Sequence, residues 1–416
     1  MRKKKCTLPL MMMTGNKKTF KTGGEVFVQK KHWTFRITGF RLLLILFVLT
    51  AVVVSLYRFI FGLGSVTNLN DQWPWGLWIG FDLLCGIALA GGGFSTALIV
   101  HVLHKEKYLP IARAALLTSL IGYIIALVSL FLDIGRWYNF WRPFFFWGYH
   151  SVLFEVFWCI SLYTIVQIME FGDIFFERVR FPSLKRILHA TIPFWLIIGI
   201  VLPTLHQSSL GSLYVIAVNR LDPLWWSMLI PFFFVWSAFF LGPAMVTIEG
   251  TLAARAYGRV PEMPVFSSLT KVTMWMMIVY LVVKVIDLNY RGVFTQAFNG
   301  SLESNMFLIE MIVFVLLPIV MYAVPSIRNK LWGVFTASVL VVAGVVFNRM
   351  NVVFTGMAKS AGGHYFPTEW EILITIGMWS ALILIYCFVV ENFPILPKED
   401  LVSHESSMAS GQTVNI

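Results

Sequence analysis

Apolar residues along the chain gather into long runs, separated by short stretches rich in charge, glycine, proline or aromatic residues. A helix needs about 20 residues to cross a hydrocarbon core of about 30 Å, so each run of that length predicts one spanning helix. The runs lie near 41–62, 75–103, 112–134, 149–171, 187–206, 223–249, 268–290, 304–324, 332–348 and 369–394. None shows the apolar/polar alternation of a barrel strand, and in lipid only a helix or a closed barrel pairs every backbone N–H and C=O. The pattern predicts an all-α integral membrane protein of about ten transmembrane helices.

Composition agrees with that solvent. Of 416 residues 58% are apolar, 16% aromatic and only 13% charged, about half the charged share of a soluble domain. The net charge of +11 is not a nucleic-acid signature, because the Lys and Arg residues cluster beside the apolar runs. They fall in the N-terminal arm, around Lys105, Lys107 and Arg113, around Arg178, Arg180, Lys185 and Arg186, at Arg255 and Arg259, and at Arg328 and Lys330. The alternate loops hold only a few, among them Arg136, Arg142, Arg220, Arg291, Arg349 and Lys359. Basic loops stay inside, which predicts a multi-pass protein of the cytoplasmic (inner) membrane with both termini cytoplasmic. Residues 1–40 read as a basic cytoplasmic arm, 41–394 as the membrane domain and 395–416 as a disordered cytoplasmic tail.

The four cysteines lie far apart, with no C-x-x-C, so no iron–sulfur or zinc site is signalled and no metal is expected on this chain. Trp73, Trp75 and Trp78, then Trp137 to Trp147, crowd the outer loops and read as an interfacial belt. Gly80, Gly86 and Gly91 to Gly93 in the second run allow close helix approach.

A charge at mid-bilayer costs at least about 2.5–3.5 kcal/mol, so each needs a partner, a cavity or a function. Asp82 lies in the second run, Asp133 and Arg136 close the third at i, i+3, Glu155 lies early in the fourth and His206 ends the fifth. They are expected at one depth near the outer face, Glu155 walled by Phe154, Val156, Phe157 and Trp158. Donors and acceptors for two ring oxygens, with carboxyls to move protons, suit the oxidation or reduction of a quinone. Lys284, Asp287 and Glu310 read as a neutralising structural set, and His101, His104, His189 and Glu249 lie near the inner helix ends, where interfacial water is available, with a proton path through them and Asp82 as the alternative. Two haems stacked in a four-helix cytochrome need matched histidine pairs about 13 or 14 residues apart. No such pairs occur, so no haem is expected.

The segments Phe61 to Val66, Pro74 to Asp82, Asp133 to Arg136, Ser151 to Glu155, Leu202 to Ser212, Pro223 to Trp225 and Tyr365 to Glu371 resemble the NrfD/polysulfide-reductase-C family of membrane subunits. The likeness is strongest to the haem-free "cytochrome b" subunits of uptake nickel–iron hydrogenases. It implies two four-helix bundles, helices 2–5 and 6–9, flanked by helices 1 and 10. It also implies menaquinone or ubiquinone as substrate near the outer face, a ferredoxin-like iron–sulfur partner and catalytic subunits, here the hydrogenase large and small subunits. Carried onto this chain, Glu155, His206 and Asp133 take the catalytic roles, with Arg136, Tyr123, Gln207 and Asp82 around the quinone. Similar subunits serve sulfite-reduction-linked, high-molecular-weight cytochrome, alternative complex III and quinone-reductase complexes. A secondary transporter or a passive membrane anchor is the competing class.

Overall fold

Nine of the ten apolar runs fold as one long helix each among the described residues, and the ends of those helices carry the differences from the sequence pattern. The computed structural model describes residues 33–97, 109–178, 182–258, 260, 261, 263–362, 365–393 and 395. The basic arm up to residue 32, the tail from 396, and His101, His104, Lys105 and Lys107 lie outside the described residues, as does the side chain of His189. From Phe35 onward the chain is one unit, and among the described residues there is no strand.

Nine described helices are long and apolar enough to cross a membrane: α1 (Gly39–Phe61), α4 (Leu109–Asp133), α6 (Val152–Arg178), α7 (Pro182–Val215), α8 (Ile230–Ala256), α9 (Met263–Tyr290), α10 (Leu302–Ala323), α12 (Leu331–Ala361) and α13 (Glu369–Asn392). The expected second span is a shorter apolar helix, α2 (Trp78–Leu89), followed by α3 (Gly92–Ala97), and its remainder falls outside the described residues. Short α5 (Arg142–Phe145) and α11 (Pro325–Arg328) lie in connections.

Caps set the starts of the outer pair. Thr38 accepts from the Arg41 amide at α1, and Thr368 with Glu371 forms a reciprocal capping box at α13, satisfying amides a helix start leaves unpaired. These two helices pack together. The Arg41 guanidinium grips both oxygens of Glu391 at 3.2 and 2.5 Å, and a Cβ on Gly377 would stand 2.8 Å from the Phe47 carbonyl. The other side of α1 exposes Leu42, Leu46, Leu49, Val53 and Ile60, as a lipid-facing helix does. Small residues seat the interior: Gly122 of α4 stands against Ala90, and Gly242 of α8 against Ser95. Helix α8 packs on α9 and α12, and also on α7 and α3.

The loops 62–77, 134–151, 216–229, 291–301 and 365–368 share one face. Thr368 binds the Val66 carbonyl at 2.5 Å, Trp137 donates to the Phe59 carbonyl at 3.1 Å, and Lys359 bridges Asp222 and Glu303 at 3.3 and 3.1 Å. Tyr365 donates to Glu371, whose carboxylate also takes the Asn68 amide at 3.2 Å.

Candidate functional site

Three rings meet midway along the N-terminal helices. Tyr123 of α4, Tyr163 of α6 and His206 of α7 are at most 1% exposed. The Tyr123 hydroxyl lies 2.7 Å from Nε2 of His206, and the two tyrosines meet edge-on with centroids 4.5 Å apart. The Tyr163 hydroxyl faces Ser119 and Gln167, which bond each other through their side chains. Ser119 and Tyr123 stand at i, i+4 on α4, and Tyr163 and Gln167 at i, i+4 on α6, so each helix presents two polar groups one above the other. Nδ1 of His206, Oε1 of Gln167 and both amide atoms of Gln207 are buried without a hydrogen-bond partner. A neutral imidazole has one donor and one acceptor nitrogen, and its neighbour here is a phenol. Such a pair has the chemistry to hold or pass a proton.

Helix α7 continues nine residues beyond His206 to Val215, about 14 Å at the rise of an α-helix. His206 therefore does not end its helix, and it lies well inside the helix rather than at the loop face. Tyr123 lies ten residues before Asp133 on α4, about 15 Å along the axis. One quinone ring does not reach both.

Asp133 has a different cation from the one its sequence spacing suggests. Helix α4 stops at Asp133, so the i, i+3 relation to Arg136 is lost, and Arg136 is exposed. The cation acting on Asp133 is Arg58 of α1, a residue the sequence pattern hides inside an apolar run, and the Glu371 carboxylate acts against it. Arg58 is fully buried. Its Nη2 donates to the Ile134 carbonyl at 2.5 Å, while its Nε and Nη1, and Oδ1 of Asp133, are buried and unpaired. Phe59 lies 5.1 Å from the guanidinium and is itself packed by Phe131 and Trp137, both 5.2 Å away. The Arg58 guanidinium and the Asp133 carboxylate do not bond each other.

Asp82 and Glu155 stand apart from these groups. Asp82 is buried in a π-helical stretch, Trp78–Leu83, and accepts from Thr375 at 2.7 Å and Trp379 at 2.9 Å, tying α2 to α13. Glu155 is exposed in the first turn of α6. Its aromatic sequence neighbours do not wall it, because adjacent residues on a helix point to different sides.

The C-terminal helices hold a second polar centre. Glu310 accepts from Trp225 at 3.0 Å, Asn348 at 2.7 Å and Asn351 at 3.1 Å. Arg349, expected in a loop, is buried within α12 and binds Asn348, Ser237 and the Phe234 carbonyl. The expected neutralising set is not a direct one. Asp287 is taken by Arg291 at 2.8 Å and Ser227 at 2.7 Å, and Lys284 lies over Phe233 at 4.9 Å, with no carboxylate in ion-pair range among the described residues. Glu249 is half-buried, with both carboxylate oxygens turned inward to Thr118 and Tyr386.

Among the described residues no group of three or more His, Cys, Asp or Glu is placed to hold a metal ion. The described histidine side chains are His150, which is exposed, and His206, whose Nε2 faces Tyr123.

Residues 65–361 match the sequence profile described as "Polysulphide reductase, NrfD". The chain is 35% identical over 372 residues to the "Probable Ni/Fe-hydrogenase 2 b-type cytochrome subunit" of Escherichia coli (strain K12), covering 87% of this chain and 94% of that one. It is 29% identical over 376 residues to the "Menaquinone reductase, integral membrane subunit" of Nitratidesulfovibrio vulgaris, covering 81% of this chain and 87% of that one.

Proposed function

Because the chain belongs to the NrfD family of polysulphide-reductase membrane subunits, we propose that it is the quinone-reactive subunit of a respiratory oxidoreductase complex. In this reading it spans the cytoplasmic membrane with both termini inside. The shared loop face then looks outward and exchanges electrons with a ferredoxin-like iron–sulfur subunit. The relative named for a nickel–iron hydrogenase favours hydrogenase large and small subunits as the catalytic partners. The relative named for a menaquinone reductase supports menaquinone as the substrate and a non-hydrogenase complex as the second reading.

The observation that carries the proposal is the set of buried, unpaired polar atoms on Arg58 and Asp133 near the loop face. A quinone oxygen accepts from the Arg58 guanidinium, and the quinol hydroxyl formed on reduction donates to the Asp133 carboxylate. A pair of electrons enters from the partner's iron–sulfur centre and a pair of protons completes the quinol. His206 with Tyr123 holds a proton deeper in the same helices, with Gln207 beside it, and Glu155 at the mouth of α6 exchanges protons with water. Arg136 is exposed at the loop face, where it helps to seat the partner.

The test is the complex purified with its partners. Arg58→Met and Asp133→Asn are each expected to abolish quinone turnover and binding of a quinone-site inhibitor, while reduction of an artificial dye by the catalytic partner persists. Wild-type quinone turnover in both variants overturns the assignment.

A further inference from the structure

Lys271 is a cation on the lipid-facing side of a spanning helix, and no carboxylate answers it. It lies eight residues after Met263, the first of α9, about 12 Å along the axis. Its side chain is exposed, as are those of Val272, Trp275, Val279 and Ile286. At 3.6 residues per turn these positions fall on one side of the helix, and an exposed apolar side of a spanning helix is the one that meets lipid. Lys271 joins no ion pair among the described residues, and a cation so placed needs an anion.

Packing brings further unanswered cations to the same place, at the helix ends opposite the loop face. Phe266 and Leu269 of α9 share a buried apolar cluster with Leu331 and Val334 of α12, which sets the starts of the two helices side by side. The Ser267 hydroxyl, one turn before Lys271 on α9, donates to the Asn329 amide oxygen at 3.4 Å. Next to Asn329 is Lys330, which is exposed. The connection that carries it is tightly held: the Lys330 amide donates to the Ile327 carbonyl at 3.1 Å, and Gly333 is packed on that same carbonyl with no room for a Cβ. Arg328 donates to the Tyr322 carbonyl at 2.8 Å, capping the end of α10 as cations do at helix C-termini. Neither Arg328 nor Lys330 joins an ion pair among the described residues. Trp332, 60% exposed, stands beside Lys330 as Trp275 stands beside Lys271.

We propose that the phosphate of an anionic phospholipid binds between Lys271 and Lys330, where α9, α11 and α12 meet. The two ammonium groups donate to the phosphate oxygens, and Arg328 adds a fixed positive charge behind them. Positive loops that only set topology need their cations in the loops, whereas Lys271 lies within a spanning helix and reaches the headgroup level along its own apolar stem. A lipid also meets what a soluble anion does not. The end of α10 packs on both α9 and α12 and exposes Val320, so an acyl chain below the phosphate has an apolar surface on α9 and α10. Trp275 and Trp332 suit the interfacial depth of the lipid glycerol. A lipid held here ties the starts of α9 and α12 together through one phosphate.

The test is a lipid titration of the full chain in a non-ionic detergent, read by native mass spectrometry, and it needs no turnover. The wild type is expected to retain phosphatidylglycerol more tightly than phosphatidylcholine of the same acyl chains. Lys271→Gln combined with Lys330→Gln is expected to weaken phosphatidylglycerol binding about thirtyfold. Arg36→Gln removes an exposed cation before α1, at the same end of the helices, and is expected to leave that binding within about threefold, because an exposed charge beyond a Debye length is largely screened. Lys271→Arg combined with Lys330→Arg keeps both charges and is expected to keep binding, which separates loss of the site from loss of the fold. Equal retention of the two lipids by the wild type overturns the proposal. So does wild-type affinity in the glutamine pair, or loss of binding in the arginine pair equal to that in the glutamine pair. Displacement of the lipid by an equal concentration of glycerol phosphate also overturns it, and would assign the two lysines to a soluble anion.

Discussion

The hydroxyl of Tyr123 lies 2.7 Å from Nε2 of His206, and both side chains are fully buried. Burial leaves Nε2 of His206 no water to replace this contact. Tyr123→Phe leaves Nε2 of His206 unpaired in an apolar core, a cost of about 1–3 kcal/mol. If the pair carries protons, quinone turnover is expected to fall by about a hundredfold, the lower end of general acid–base contributions. Steady-state turnover and thermal unfolding of the purified complex check the two effects separately. Lost stability with unaltered turnover would assign the pair to packing alone.

Asp82 accepts from Thr375 and Trp379, which lie one turn apart on α13. That geometry makes it a tie between helices. Asp82→Asn keeps the shape but trades an acceptor oxygen for a donor, so one of the two donors on α13 faces a donor. The expected result is a complex destabilised by about 1–3 kcal/mol, with quinone turnover per assembled complex within a few-fold of wild type. Thermal unfolding and turnover normalised to partner content measure this. Loss of turnover in fully assembled complex would return Asp82 to the reaction.

How far the sequence reveals this molecule depends on what local pattern encodes. Run length fixes the existence of the spanning helices, because the bilayer sets it, but not their ends. Helix α12 extends past residue 348 through a π-helical stretch, and this buries Arg349, which a loop position would have exposed. Helix α7 runs on to Val215 through polar residues that look like a helix end, so His206 lies far deeper than its place in the run implies. Arg58 is legible only as a lone cation in an apolar run, since nothing in the linear order links it to Asp133. Tyr123 and Tyr163 were legible as aromatic residues of spanning helices, and only the packing of α4, α6 and α7 distinguishes them from ordinary core. Glu155 shows the converse, where sequence neighbours suggest a wall that helical rotation turns elsewhere.

Gly377 sets the approach of α13 to α1. A methyl group there would press on Ala51 and stand 2.8 Å from the Phe47 carbonyl, which as backbone has little freedom to yield. Gly377→Ala is expected to destabilise the pairing by about 1–3 kcal/mol, as overpacking does, despite alanine's better helix propensity. Glu391→Gln removes the charge that grips Arg41 at 2.5 Å and is expected to weaken the same pairing. Thermal unfolding in detergent checks both, and an unchanged midpoint for Gly377→Ala would show that α1 moves aside without cost.

Glu155 is exposed in the first turn of α6, where a carboxylate favours the positive end of the helix dipole by about 0.3–1 kcal/mol. Glu155→Gln is therefore expected to leave stability within about 1 kcal/mol of wild type. Its effect on turnover depends on whether water replaces it. A buried relay has no substitute, and its loss stops proton delivery, whereas an exposed carboxylate is backed by solvent that takes and gives protons at the same place. Quinone turnover of Glu155→Gln is expected to fall only a few-fold and to recover when a small diffusible buffer acid is added, as replacement of a surface acceptor requires. Turnover measured across a series of buffer concentrations decides the matter. Complete loss without buffer rescue would mean that Glu155 turns inward in the assembled complex, covered by the partner subunit.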